Sequence, residues 1–133
     1  MKYMLDTDTC IYLINKKHPE LAQKIINVPY ENICISSITQ AELEYGVSKS
    51  LNPAKNAQAL TKFLSVINVV NFDSNAAISY GEVRANLERK GKVIGSMDML
   101  IAGHAKSNGF IVVTNNVDEF ERVEGIIIEN WVK

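Results

Sequence analysis

Residues 3–14, "YMLDTDTCIYLI", run from a short apolar, β-prone stretch into an acid and then into a helical segment. Asp6 stands where the strand "YML" ends, and its ordinary role there is to cap the helix that follows. The same strand-then-helix unit recurs along the chain. Further β-rich runs lie at "ICI" (33–35), "INVV" (67–70), "FIVV" (110–113) and "GIIIE" (125–129), with helical stretches between them. Each run is almost wholly apolar rather than alternating, which fits strands buried on both faces. The expected class is α/β, a mostly parallel central sheet of about five strands flanked by helices, in a single domain over residues 1–133.

The helices carry readable starts and stops. Ser37 with Gln40 forms a capping box before "AELEYGV". Asn52-Pro53 sets an N-cap ahead of a first-turn proline. Asp73 or Ser74 opens "NAAISYGEVRANLERK", closed by Gly91, and Ser96 caps "MDMLIAGHAKSN", ended by Gly109. In open parallel sheets ligands bind beyond the carboxyl ends of the strands, so chemistry is sought just after each run.

The 133 residues are 47% hydrophobic and 22% charged, an ordinary soluble composition with enough apolar material for a core. No apolar stretch approaches the ~20 residues of a membrane helix. Met1-Lys2-Tyr3 leads directly into the first strand, so no signal peptide is expected. Cys10 and Cys34 lie in apolar surroundings and read as buried free thiols of a reducing compartment, which points to the cytoplasm. The net charge of -1 excludes a global basic signal for nucleic acid. Lys16, Lys17, Lys49, Arg84, Arg89, Lys90 and Lys92 remain local candidates for phosphate contact, each also readable as a solvated surface charge.

Four acids fall in corresponding places. Asp6 follows the first strand. Glu42 lies one turn into the helix after the second, beside an expected buried face of Ile38, Ala41 and Tyr45. Asp98 is the second residue of the helix that Ser96 is expected to cap, among Met97, Met99, Leu100 and Ile101 that read as buried. After "IVV" come Thr114, Asn115 and Asn116, then Asp118 and Glu119. Singly each has a bland explanation as cap, surface acid or loop. Together they would repel one another by roughly 3 kcal/mol per pair at ~5 Å and an effective dielectric near 20. A divalent cation offsets such a cluster, and an all-oxygen donor set favours Mg²⁺ or Mn²⁺. His18, before Pro19, and His104 read as structural.

The succession "YMLDTDTCIYLI", "ISSITQAELEYGV", "GSMDMLIAGHA", "IVVTNNVDEFERV" and "IIIENW" resembles the VapC toxins, which are PIN-domain ribonucleases. The likeness spans essentially the whole chain, with five motifs in order. It implies a PIN-like domain and a Mg²⁺-dependent endoribonuclease, the toxin of a VapBC toxin–antitoxin module. It further implies a VapB-type antitoxin as partner and a homodimer within a larger toxin–antitoxin complex. Relatives with "TNN" and "EF" in the last motif cut initiator tRNA in its anticodon stem-loop, so a tRNA is the expected substrate. By the resemblance Asp6, Glu42 and Asp98 match the first three metal acids. Glu119 supplies the fourth, where many PIN domains carry aspartate at the position of Asn116. Thr7, Asp8, Thr114 and Asn116 are expected to support them, Thr114 through its hydroxyl. Asp8 departs from the family's usual asparagine and adds negative charge.

On this reading Asp6 and Asp98 hold the cation most directly, and Glu42 and Glu119 complete the site. Two rival readings follow from Asp8. The pair Asp6 and Asp8, with a threonine following, echoes the haloacid-dehalogenase phosphatases, in which Asp6 would be a nucleophile. That reading leaves Glu42 and "TNNVDEF" unexplained, and its later acid is missing because Ser96 follows Gly95. Alternatively Asp8 impairs the site, leaving a regulatory or binding module. A signalling receiver domain would need a lysine after the fifth run, where none occurs before Lys133.

Overall fold

The computed structural model describes residues 2–132. Strands β1 (Tyr3–Leu5), β2 (Ile33–Ser36), β3 (Asn68–Val70), β4 (Ile111–Val113) and β5 (Ile127–Glu129) form one sheet in the order β3-β2-β1-β4-β5, every pair parallel. Among the described residues seven α-helices cover it: α1 (Thr7–Ile14), α2 (Pro19–Ile26), α3 (Ser37–Lys49), α4 (Pro53–Leu64), α5 (Ser74–Arg89), α6 (Ser96–Asn108) and α7 (Val117–Phe120).

The continuous apolar runs have a direct explanation. Met4, Cys34 and Val112 point into one core with Val83, Leu87, Met99, Ile101 and Phe120 from α5, α6 and α7. Their strand neighbours Leu5, Ile33, Ile35 and Val113 point into a second core with Cys10, Leu21, Leu43 and Leu60 from α1 to α4. Both faces of the three central strands are covered, so alternation along β1, β2 and β4 distributes side chains between two cores rather than between core and water, while Val69 and Ile127 on the edge strands remain partly exposed. Cys10 and Cys34 are free, buried and on opposite faces; burial pushes both thiols up, that of Cys34 to about 12.

Several local expectations hold and others shift. Asn52 and Asp73 cap α4 and α5, accepting from Lys55 N and Ala76 N. Gly91 and Gly109 take the left-handed conformation that ends α5 and α6. The capping box at Ser37 does not form. Ser36 caps α3 by accepting from Ile38 N, and Ser37 Oγ instead accepts from Phe72 N, 3.0 Å away. Ser96 is the first residue of α6, whose N-cap is Gly95 with no side-chain cap, so Asp98 is the third helical residue. The buried face of α3 is Thr39 and Leu43, while Tyr45 is 65% exposed. Met97, read as buried, is 45% exposed.

The helices α5 and α6 touch backbone to backbone at Gly103. A Cβ there would lie 2.6 Å from Tyr80 Cα and 2.7 Å from Tyr80 N, and no side-chain rotation relieves a backbone clash. Gly103→Ala is therefore expected to destabilise the fold by about 2–3 kcal/mol despite the better helix propensity of alanine. A urea midpoint within error of the wild type would show that α5 and α6 are not in this contact.

Candidate active site

The chain places β2 and β3 on one side of β1, then crosses back to add β4 and β5 on the other. Strand order reverses between β1 and β4, and a crevice opens there at the strands' carboxyl ends. Asp6 ends β1 and caps α1. It is 2% exposed, its Oδ1 accepts from Thr9 N at 2.9 Å, and its Oδ2 accepts from the Thr114 hydroxyl at 2.6 Å. Thr114 ends β4, so this last bond spans the switch point. Thr114 Oγ accepts in turn from Asn116 N at 2.8 Å. Burial raises the Asp6 carboxyl above its ordinary value, opposed by the donors Thr114 and Thr9.

The other acids arrive from three elements. Glu42 on α3 accepts a hydrogen bond from the Thr7 hydroxyl, which lies 3.4 Å from Thr39 Oγ1. Glu119 on α7 accepts from Asn116 Nδ2 and from Gly95 N, the latter at 3.1 Å. Asp98 stands at the start of α6, and its carboxyl is pushed up to about 7. Burial is the largest cause; the negative charges of Asp6, Glu119, Glu42 and Asp8 add to it. Thr7, Asp8, Glu42, Gly95, Ser96, Met97 and Asp98 line an open recess of about 320 Å³.

The structure thus brings Asp6, Glu42, Asp98 and Glu119 to one edge, with Asp8. It does not bring them into one coordination sphere. Glu42 and Glu119 are turned to their own donors, and among the described residues no three acid, histidine or cysteine side chains meet at ligand distance of a single point. The donor chemistry nonetheless fits a hard divalent cation: carboxylate oxygens from four elements, whose mutual repulsion adds to burial in raising the Asp98 carboxyl. The Thr114 hydroxyl, expected to support the site, is engaged with Asp6.

The basic candidates lie elsewhere, none of them on the recess wall. Arg84 bonds to Tyr80 and Glu88, Lys90 is 3.9 Å from Glu124, and Lys49 sits over the Tyr45 ring. The Thr7 donor to Glu42 fits its expected supporting role; sequence reasoning missed two other supports, the Gly95 N–H that holds Glu119 and a hydrogen bond between His104 Nδ1 and Ser36 Oγ at 2.8 Å. Only the last had a visible signal, two polar residues in otherwise apolar runs. His104 is fully buried, and burial lowers its pKa against the opposing pull of Asp73.

The PIN domain family matches residues 3–126. The chain belongs to the PIN-domain family, among its VapC ribonucleases. The tRNA(fMet)-specific endonuclease VapC of Salmonella typhimurium is 50% identical over 131 residues, covering 98% of both chains. Ribonuclease VapC2 of Rickettsia felis is 46% identical over the whole of both chains. Among solved structures, VapBC2 of Rickettsia felis bound to a promoter DNA fragment superposes on this PIN domain with a TM-score of 0.93 at 44% identity, covering 98% of this chain and 99% of that one. DNA-bound VapBC of Salmonella typhimurium gives 0.93 at 48% identity over 98% of both. PIN-domain ribonucleases are generally dependent on divalent metal. The phosphatase reading of Asp6 falls with this membership. Its D-x-D-x-T signature also needs threonine at position 10, where the chain has Cys10. Among the described residues no helix is long and apolar enough to cross a membrane.

Proposed function

We propose that this PIN domain, residues 1–133 acting as one unit, is the cytoplasmic toxin of a VapBC-type pair and cleaves initiator tRNA in its anticodon stem-loop. The hydrogen bond from Thr114 to Asp6 across the sheet's switch point, beside a recess lined by Glu42 and Asp98 whose Gly95 N–H holds Glu119, is the observation that carries this reading. The relatives named tRNA(fMet)-specific endonucleases, 45–50% identical, support the substrate. Solved neighbours that are VapBC complexes support a VapB-type antitoxin as partner. An apolar groove of about 220 Å³, walled by Ile11, Ile14, Leu43, Val47 and Leu60, shares Glu42 with the recess and suits an apolar antitoxin segment reaching the acids.

Asp6 and Asp98 would hold Mg²⁺, or Mn²⁺, with Glu42 and Glu119 completing the set once turned from Thr7 and Asn116 or acting through water. When bound, the cation supplies a nucleophilic water at neutral pH and offsets charge that develops on the phosphodiester. The chain's own contribution is placement. Thr9 N–H and the Thr114 hydroxyl fix both oxygens of Asp6, so the buried carboxylate cannot rotate away. Thr7 holds Glu42 against α1, and Asn116 with Gly95 N–H holds Glu119 against the start of α6. Asp8, exposed on the recess wall, adds negative charge beside Asp98.

Purified protein incubated with total tRNA and Mg²⁺ is expected to cut one tRNA species. Chelator should abolish the cutting and added Mn²⁺ should restore it. Cleavage that persists in chelator would remove the metal from the scheme; release of inorganic phosphate without chain cutting would remove the nuclease.

A further inference from the structure

His104 is an unusual residue to find at the centre of α6. It is completely buried, its ring meets Phe72 edge-on with centroids 5.4 Å apart, and its Nε2 has no hydrogen-bond partner. A buried nitrogen left unpaired is costly, and an aliphatic side chain would fill the space without that cost. Its Nδ1, by contrast, is firmly engaged, 2.8 Å from Ser36 Oγ, which is also fully buried. Ser36 is the hinge between β2 and α3. Its Oγ accepts from Ile38 N and so caps the helix that carries Glu42 six residues on. His104 lies six residues after Asp98 on α6.

Ser36 and His104 form the single side-chain hydrogen bond between α6 and the root of α3 among the described residues. The neighbouring Ser37 is spent on Phe72 N and ties α3 to the segment after β3 instead. We infer that His104 is a positioning residue: through Ser36 it fixes α6 against the start of α3 and thereby sets the separation of Asp98 and Glu42 across the recess. This rests on the reading that those acids share a cation. The link acts at a distance from the recess. Its loss loosens the acids relative to one another without removing a carboxylate, so cation affinity falls while the groups themselves are intact.

The test uses the full chain and Mn²⁺ as the probe, with binding read by calorimetry in the absence of RNA. His104→Leu keeps the volume and leaves Ser36 free to cap α3, but breaks the link. It is expected to weaken Mn²⁺ binding about tenfold, in the 10–100-fold range typical of groups that orient metal ligands. RNA cleavage by the same variant should recover most of its kcat at saturating Mn²⁺. His104→Asn, whose amide can sit where Nδ1 does, should restore most of the affinity. If the Leu variant binds Mn²⁺ as tightly as the wild type and differs only in melting temperature, His104 is merely structural. If wild-type protein binds no Mn²⁺, the acidic site itself is misread and the link falls with it.

Discussion

Replacing Asp6 by asparagine is expected to lower RNA cleavage by about a thousand-fold or more, some 4 kcal/mol of transition-state stabilisation, while leaving the protein folded. The side chain is buried and both its oxygens are committed, one to Thr9 N–H and one to the Thr114 hydroxyl. Asparagine has the same shape. Its carbonyl can continue to accept from Thr9 N–H, which preserves the cap on α1. Its amide then faces Thr114, whose hydroxyl must turn from donor to acceptor. The cap survives and one buried bond is rearranged, so the melting temperature should move by only a few degrees. What disappears is the negative charge at the switch point of the sheet, on a buried acid whose two oxygens are both fixed. Cleavage by Asp6→Asn within tenfold of wild type, at equal fold content, would mean that the reacting phosphate is not addressed from this carboxylate.

Asp98→Asn should separate stability from activity in opposite directions. The Asp98 carboxyl is raised from 3.8 to about 7 by burial first and then by Asp6, Glu119, Glu42 and Asp8. The folded protein therefore holds a proton there that the unfolded chain has already lost. Stability falls as pH rises from about 4 to about 7, and above that range the folded state carries the full penalty of the charged form. Fully shielded from water, a shift of this size would correspond to about 4 kcal/mol. Asp98 is only partly buried, and solvent screening reduces this to on the order of 1–2 kcal/mol. In chelator at pH 8, Asp98→Asn is thus expected to unfold at a higher denaturant concentration than the wild type, with the difference vanishing near pH 4. Mg²⁺ should raise the wild-type melting temperature, as a ligand that binds only the folded state does, and raise that of the variant less. RNA cleavage should drop at least a hundred-fold. A variant no more stable than wild type at pH 8 would show that the acids do not press on one another as the structure places them.

Much of this architecture was legible because the residues that dictate it act locally. Apolar runs without alternation mark strands covered on both sides, and Met4 and Leu5 do enter different cores; only the edge strands β3 and β5 leave Val69 and Ile127 partly in water. Asp6 after "YML", Asn52 before Pro53, and the left-handed Gly91 and Gly109 are features of single turns, read from neighbours along the chain. Where two residues compete for one local role, the sequence is ambiguous. Ser36 and Ser37 are equally good caps; Ser36 takes the helix because Ser37 is claimed by Phe72 N from 35 residues away. The phase of α3 was equally unreadable. Ile38, Leu43, Tyr45 and Val47 spread apolar surface round the helix, and only docking on the sheet turned Thr39 and Leu43 inward and left Tyr45 in water.

By itself the sequence determined the elements, the apolar character of both sheet faces, the family likeness, and the identity of the acids available for chemistry, because each depends on residue type and short-range spacing. Only the tertiary structure decided which strands became neighbours. Runs of similar length and composition can pair in many orders, so nothing local tells Asp6 that it will meet a hydroxyl 108 residues later. Placing β1 beside β4 made that bond, set Asp98 among four other negative charges, and turned Glu42 and Glu119 towards donors on other elements. Those distances follow from how two cores close on the sheet, a property of the packed whole that no segment carries.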